Sequence, residues 1–202
     1  LEQFPEFVDF RDGSKPGGEA VGPVETAVSK KTPEESIEAA HQGLREQLAQ
    51  ELLARIMTCS PAFFEKLVVE LLVKMGYGGS RRDAGERIGQ TGDGGIDGII
   101  KEDRLGLDTI FIQAKRWQGT VGRPEIQKFV GALQGQRARK GVFITTSSYT
   151  ADATDYASRI DTKVVLIDGR QLATLMIDFD VGVAVSASYV VKRIDSDYFE
   201  EG

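Results

Sequence analysis

Asp97, Gln113 and Lys115 are the residues of this 202-residue chain whose types and spacing suit joint chemistry. Asp97 closes a glycine-rich stretch, Gly92-Asp93-Gly94-Gly95-Ile96-Asp97, and lies in a β-rich run from Ile96 to Lys101. A second run, Thr109 to Arg116, follows a Gly-containing loop from Glu102 to Asp108, so the two read as a hairpin. Side chains alternate along a strand, which puts Phe111, Gln113 and Lys115 on one face and Ile110, Ile112 and Ala114 on the other. A carboxylate, an amide oxygen and an ammonium then occupy one small volume. Carboxylate, carbonyl and water oxygens are the ligands magnesium takes. Such an ion beside an ammonium suits phosphodiester hydrolysis: the ion lowers the pKa of its water and stabilises charge on the phosphate, and the lysine adds a fixed positive charge. Taken singly, each residue has an ordinary reading, since an Asp among glycines is a turn residue and a strand Gln or Lys faces solvent.

Composition removes several other chemistries. The one cysteine, Cys59, excludes an internal disulfide and a cysteine-rich zinc site. A single histidine, His41, excludes mechanisms built on paired histidines. Gly92 to Gly95 lead into a strand, whereas a P-loop needs Gly-Lys-Ser/Thr entering a helix, so no nucleotide cofactor is expected. No apolar run is long enough to span a bilayer and no signal-peptide pattern opens the chain, so the expected location is cytoplasmic. The first residue is not Met, which fits a fragment or a processed product.

The net charge of −6 is unfavourable for binding phosphates, but its distribution is uneven. Between Phe111 and Lys140 stand seven basic residues (Lys115, Arg116, Arg123, Lys128, Arg137, Arg139 and Lys140) against one acid, Glu125. That is a permissible electrostatic footprint for nucleic acid, or equally a solvated surface. Arg81 and Arg82 lie in a polar loop and either contact phosphate or solvate it.

The elements that must position these residues follow from periodicity and caps. Residues 1–32 are rich in Pro and Gly and read as a linker or an extended arm packed on the core. Thr32 as N-cap, Pro33 at the first position and Glu34 and Glu35 in the first turn open a helix expected to reach Met57. Its proposed buried stripe is Ile37, Leu44, Leu48, Leu52 and Ile56. Ser60-Pro61 repeats the start signal for a second helix ending near Gly76, with Phe64, Leu67, Val68, Leu71, Leu72 and Met75 inward. A helix from Pro124 to about Ala138 precedes a buried strand, Gly141 to Thr146, followed by Ser147 and Ser148. Hydroxyls of that Thr/Ser run either cap the helix beginning near Thr150 or, at Thr146 and Ser147, contact phosphate. A second buried strand, Lys163 to Ile167, and a short helix, Gly169 to Ile177, complete parallel βαβ units. Val183 to Val191 alternates like an edge strand.

Asp97 behind Gly94-Gly95, followed across the hairpin by Gln113-Ala114-Lys115-Arg116-Trp117, resembles the catalytic core of the Mrr restriction endonucleases. These are a branch of the PD-(D/E)xK nuclease superfamily in which Gln replaces the second acid. The likeness continues through Val121 to Gln127, Gly141 to Ser147 and Val164 to Gly169, covering roughly residues 60–183. It implies an α/β, restriction-endonuclease-like core: a mixed central β-sheet flanked by α-helices, occupying 33–183 with a leading helical segment at 33–58. Residues 184–202 would then be an edge strand and acidic tail, and the winged-helix DNA-recognition domain that precedes this core in the family is expected to lie outside this sequence.

The same resemblance implies roles. Asp97 and Gln113 bind Mg2+ (or Mn2+), with the Ala114 carbonyl as an additional ligand. Lys115 positions or activates the attacking water and stabilises the phosphate. Glu65 on the second helix stands near the metal, with Glu70 on the same helix as its competitor. Arg81, Arg82, Arg116, Arg123, Thr146 and Ser147 are the expected DNA contacts. The implied activity is endonucleolytic restriction of modified, typically methylated, double-stranded DNA, by a homo-oligomer or by sequential nicking. Its rivals are a non-catalytic DNA-binding module that keeps the fold, and a nuclease of repair or RNA type.

Overall fold

The computed structural model describes residues 31–78, 95–102 and 107–200. Residues 1–30 of the expected arm, the polar loop with Arg81 and Arg82, and Gly92 to Gly94 lie outside the described residues. The chain divides into two compact units, Leu1–Glu38 and Ala39–Gly202.

Helix α1 (Pro33–Thr58) starts as the sequence predicts. The Glu35 amide donates to the Thr32 hydroxyl at 3.2 Å, and the Thr32 amide donates to the Glu35 carboxylate at 2.8 Å. This reciprocal capping box satisfies two of the donors a helix start leaves free. The expected buried stripe holds only at the C-terminal end: Ile56 is buried and Leu52 partly so, whereas Ile37, Leu44 and Leu48 are exposed. The physical reason is length. A helix of 26 residues runs about 39 Å, whereas strands of four to seven residues give a core little more than half as long. Within the second unit α1 is held by ion pairs from Arg45 to Asp178 and from Glu46 to Arg170.

Helix α2 (Pro61–Lys74) is capped by Ser60, whose hydroxyl accepts the Phe63 amide at 3.1 Å. Phe64, Leu67, Val68, Leu71 and Leu72 form its buried face, at the spacing that places side chains on one side of a helix.

The sheet has four strands in the order β1-β2-β3-β4: β1 (Gly98–Lys101), β2 (Thr109–Lys115), β3 (Lys140–Thr145) and β4 (Lys163–Ile167). β1 and β2 pair antiparallel as the hairpin; β2, β3 and β4 run parallel. The parallel steps pass through α3 (Arg123–Gly135) and α4 (Ala151–Arg159), and α5 (Gly169–Asp178) follows β4. Two apolar layers sandwich the sheet. One joins α2 and α5 to Ile100, Ile110, Ile112, Ala114, Val142 and Ile144. The other joins α3 and α4 to Phe143 and Val164, with Phe111 against it. The alternation read for β2 is therefore observed, with its even-numbered residues on the α2 face.

Two sequence expectations are corrected. β4 was expected to be buried throughout, but it is the sheet edge: Val164 and Ile167 are buried while Val165 is 43% exposed. Its apolar run cannot reveal that no fifth strand follows. Val183 to Val191 forms no strand and is almost wholly exposed. An alternating pattern stabilises a strand only where a sheet edge accepts its hydrogen bonds, and no described edge pairs with this segment.

Candidate active site

The hairpin brings the sequence-predicted cluster together. Gly98 lies opposite Ile112, so continuing the antiparallel register one residue sets Asp97 opposite Gln113, on the same face. The Asp97 amide donates to the Ile112 carbonyl at 2.8 Å. Its carboxylate accepts the Ala114 amide through Oδ2, also at 2.8 Å. Asp97 is thus clamped to β2 by backbone and side chain at once.

Gln113 is 5% exposed, one of two buried polar residues among those described. The backbone of Gly95 crosses it so closely that a Cβ there would lie 2.9 Å from the Gln113 amide nitrogen. Gly95 also has φ +104°, a region side chains disfavour. Close backbone approach of this kind is what a glycine permits, and here the partner is Gln113.

Lys115 ends β2, half-buried, and its carbonyl is held by three donors. The Thr145 hydroxyl reaches it at 2.9 Å, the Trp117 amide at 3.0 Å and the Thr146 amide at 3.3 Å. The Lys115 ammonium lies 5.9 Å from the centre of the Trp117 ring. Thr145, fully buried, was not singled out by sequence; nothing in a Thr-Thr-Ser-Ser run marks which hydroxyl will hold a neighbouring strand.

Glu65 arrives from α2, 32 residues before Asp97 in the chain. Partial burial raises its pKa above the ordinary carboxylate value, the Asp97 charge raises it further and the Lys115 charge lowers it. Glu65 thus lies within electrostatic reach of both Asp97 and Lys115. Glu70, the competitor on the same helix, is exposed on another side. The structure therefore gathers Glu65, Asp97, Gln113 and Lys115 at one end of the hairpin.

The donor set suits a hard cation. Asp97 and Glu65 supply carboxylates, Gln113 an amide oxygen and Ala114 a carbonyl, all oxygens of the kind magnesium takes with few protein carboxylates. No group of three or more His, Cys, Asp or Glu side chains able to hold a metal occurs among the described residues.

The predicted DNA contacts are placed differently from one another. Arg116 turns inward and donates to the Met57 carbonyl at the end of α1, at 2.6 Å. Arg123 pairs with Asp152 at 3.3 Å and lies 4.8 Å from the centre of the Tyr156 ring. The Thr146 and Ser147 hydroxyls donate to the carbonyls of Trp117 and Gly119, each at 2.8 Å, while the helix cap falls to Thr150. These hydroxyls fasten the 117–120 loop to the end of β3. The basic run is also partly neutralised: Lys128 pairs with Glu125, and Lys140 with Glu102 and Asp108. Hydrogen bonds to Asp108 and then Glu102 raise the Lys140 pKa to about 12. Lys140 begins β3 and so stands at the opposite end of the sheet from Lys115, whose register partner is Thr145.

A mixed sheet with one antiparallel hairpin, helices on both faces, and carboxylate, amide and lysine grouped at the hairpin end defines a restriction-endonuclease type of fold. The DNA modification-dependent restriction endonuclease AspBHI shares it, with a TM-score of 0.52 and 19% identity over 69% of this chain and 36% of that one. The chain belongs to the Mrr catalytic-domain family of restriction endonucleases, which matches residues 56–176 and so includes Glu65, Asp97, Gln113 and Lys115. It is 45% identical over 199 residues to the type IV methyl-directed restriction enzyme EcoKMrr of Escherichia coli strain K12. That alignment takes in 96% of this chain and 64% of the relative, so the chain spans less than two-thirds of the relative's length. No helix among the described residues is long and apolar enough to cross a membrane.

Proposed function

We propose that this chain is the cutting part of a divalent-metal-dependent endonuclease that restricts double-stranded DNA carrying methylated bases, in the cytoplasm. The observation that carries the reading is the hairpin register that sets Asp97 opposite Gln113, two residues before Lys115, with the Asp97 carboxylate accepting the Ala114 amide at 2.8 Å. The methyl-directed activity in the name of the 45% identical relative supports the substrate.

Asp97, Gln113 and the Ala114 carbonyl are the residues that would hold magnesium, with manganese as a substitute. The ion would supply charge neutralisation at the phosphate and a more acidic water. Asp97 is ready for this because Oδ2 is engaged by the Ala114 amide, which leaves Oδ1 for a ligand. Gln113 carries no charge, so the site binds the ion more weakly than one with a second acid. Glu65, half-buried, would hold the water around the ion. The Lys115 ammonium orients the nucleophilic water and faces the phosphate oxygens as negative charge grows on them, an electrostatic contribution fixed before the reaction begins. A double-strand break needs either two such sites, as in a homo-oligomer, or successive nicks by one.

Matched plasmids, methylated and unmethylated, test the substrate. Incubated with magnesium and either this chain or a longer form, the methylated plasmid is expected to be nicked or linearised and the unmethylated one left intact. Equal cutting of both would refute the methyl-directed reading while keeping the nuclease. Binding of duplex without any product, in magnesium or manganese, would replace the enzyme by a DNA-binding module.

A further inference from the structure

The structure sets a large, partly exposed aromatic side chain on a firmly tied loop, next to the residue expected to face the scissile phosphate. Trp117 is 39% exposed. It lies two residues beyond Lys115, on the rim of an open recess of about 500 Å³ walled by Met57, Arg116, Trp117, Gln118, Gly119 and Thr120. An exposed indole on a loop is usually loosely held. This one is fastened at every step: its amide donates to the Lys115 carbonyl at 3.0 Å and its carbonyl accepts the Thr146 hydroxyl at 2.8 Å. The loop is then tied by the Ser147 hydroxyl to the Gly119 carbonyl at 2.8 Å, and by Thr120 to Ser148 at 3.3 Å. Val121 donates to the Ser148 carbonyl at 2.8 Å, closing the loop against the end of β3.

We propose that Trp117 is a stacking platform for a nucleobase of the cleaved strand, immediately beside the scissile phosphate. This rests on the nuclease reading above. Three features select a base as the occupant. The indole is partly open to solvent and borders a recess of about 500 Å³. The adjoining cation is Lys115, 5.9 Å from the ring centre, near the outer limit for a cation–π contact. That spacing sets a phosphate site and an aromatic face side by side, about as a phosphate and its own base lie along a strand. And the fixed backbone means that the ordering entropy of the platform is already spent, the condition under which a contact yields affinity. Stacking on an aromatic ring is tolerant of sequence, because every base has a π-face. The platform therefore grips the strand at the cut site without reading it. It also requires the base to leave its stack partly, which favours mismatched, unpaired or frayed positions next to the cut.

Trp117 is the sole tryptophan of the chain, so its fluorescence reports the contact directly. The probe is a fluorescein-labelled duplex from a cleaved plasmid, titrated into this chain in EDTA, with anisotropy reporting binding and tryptophan emission reporting stacking. Emission is expected to be quenched along the same isotherm as the anisotropy rises. Trp117→Ala is expected to weaken binding about tenfold, in keeping with loss of one base–aromatic stack, and Trp117→Phe to restore most of it. An abasic site placed next to the cut should abolish the quench and weaken wild type to the level of Trp117→Ala, while leaving Trp117→Ala unchanged. Saturated binding with unaltered emission, or equal losses for the abasic duplex in wild type and Trp117→Ala, would overturn the platform. Failure of wild type to bind or cut any duplex would sink the nuclease reading itself, and the platform with it.

Discussion

Glu65 stands where its charged form is disfavoured. Burial and the Asp97 carboxylate both hold its pKa above the ordinary value of 4.5, against the opposing pull of Lys115. The folded chain therefore binds this proton more tightly than the unfolded chain does. In metal-free buffer the Glu65 contribution to stability is greatest at low pH, and it declines as pH rises from the ordinary carboxylate value through the raised one. A carboxyl carbon NMR titration should place the Glu65 midpoint above 4.5, and Lys115→Ala should move it higher still. A midpoint at or below the ordinary value would contradict the crowding of charge described here. By the same reasoning Glu65→Gln should melt no lower than wild type in EDTA at neutral pH, while losing the extra stabilisation that magnesium gives wild type by binding only the folded state. This trade of stability for function is common at active sites.

At the scale of elements, the end of β2 is positioned by β3. The buried Thr145 hydroxyl donates to the Lys115 carbonyl at 2.9 Å and accepts the Ser147 amide at 3.2 Å. Thr145→Val keeps the shape and removes the donor, leaving the Ser147 amide short of a partner. A loss of about 1–3 kcal/mol in urea unfolding is expected from such an orphaned buried group. Cleavage should fall through kcat with KM little changed, and Thr145→Ser should recover both stability and rate. A Thr145→Val enzyme of normal kcat would show that Lys115 does not depend on β3 for its placement. The hairpin itself was legible in sequence because turn residues flank two runs with period-two alternation, and a one-residue slip there would turn Gln113 and Lys115 to the opposite face. Helix starts were equally legible, since Thr32, Ser60 and Thr150 each accept the backbone donors that their residue types predict. Cross-strand tethers such as Thr145 to Lys115 were not legible, because they join residues 30 apart through a pairing that only the fold supplies.

At the scale of the whole molecule, sequence and structure diverge where tertiary context decides. The stripe on α1 has helical spacing, but spacing cannot say how much of a long helix meets a core, and Leu44 and Leu48 stay exposed. The tail alternates, but alternation cannot supply a neighbouring strand. The basic run looked continuous along the chain, yet Lys140 stands at the far end of the sheet in an acid cluster and Arg123 and Lys128 have acid partners. The cluster of Asp97, Gln113 and Lys115 needed only strand alternation and one hairpin to be assembled, which is why it was readable. Glu65 came through family resemblance, because packing of α2 onto the hairpin lies outside any local pattern.

The central claim is that Asp97 and Lys115 serve one metal-dependent centre that cuts DNA. The most direct measurement is single-turnover cleavage of a methylated plasmid, in magnesium and in EDTA, by wild type, Asp97→Ala and Lys115→Ala under conditions where all three remain folded. Cleavage by wild type in magnesium alone, with each variant slower by about 10²–10³ as expected when a preorganised electrostatic group is removed, is the predicted result. Undiminished cleavage by either variant, or equal cleavage in EDTA, would contradict the account.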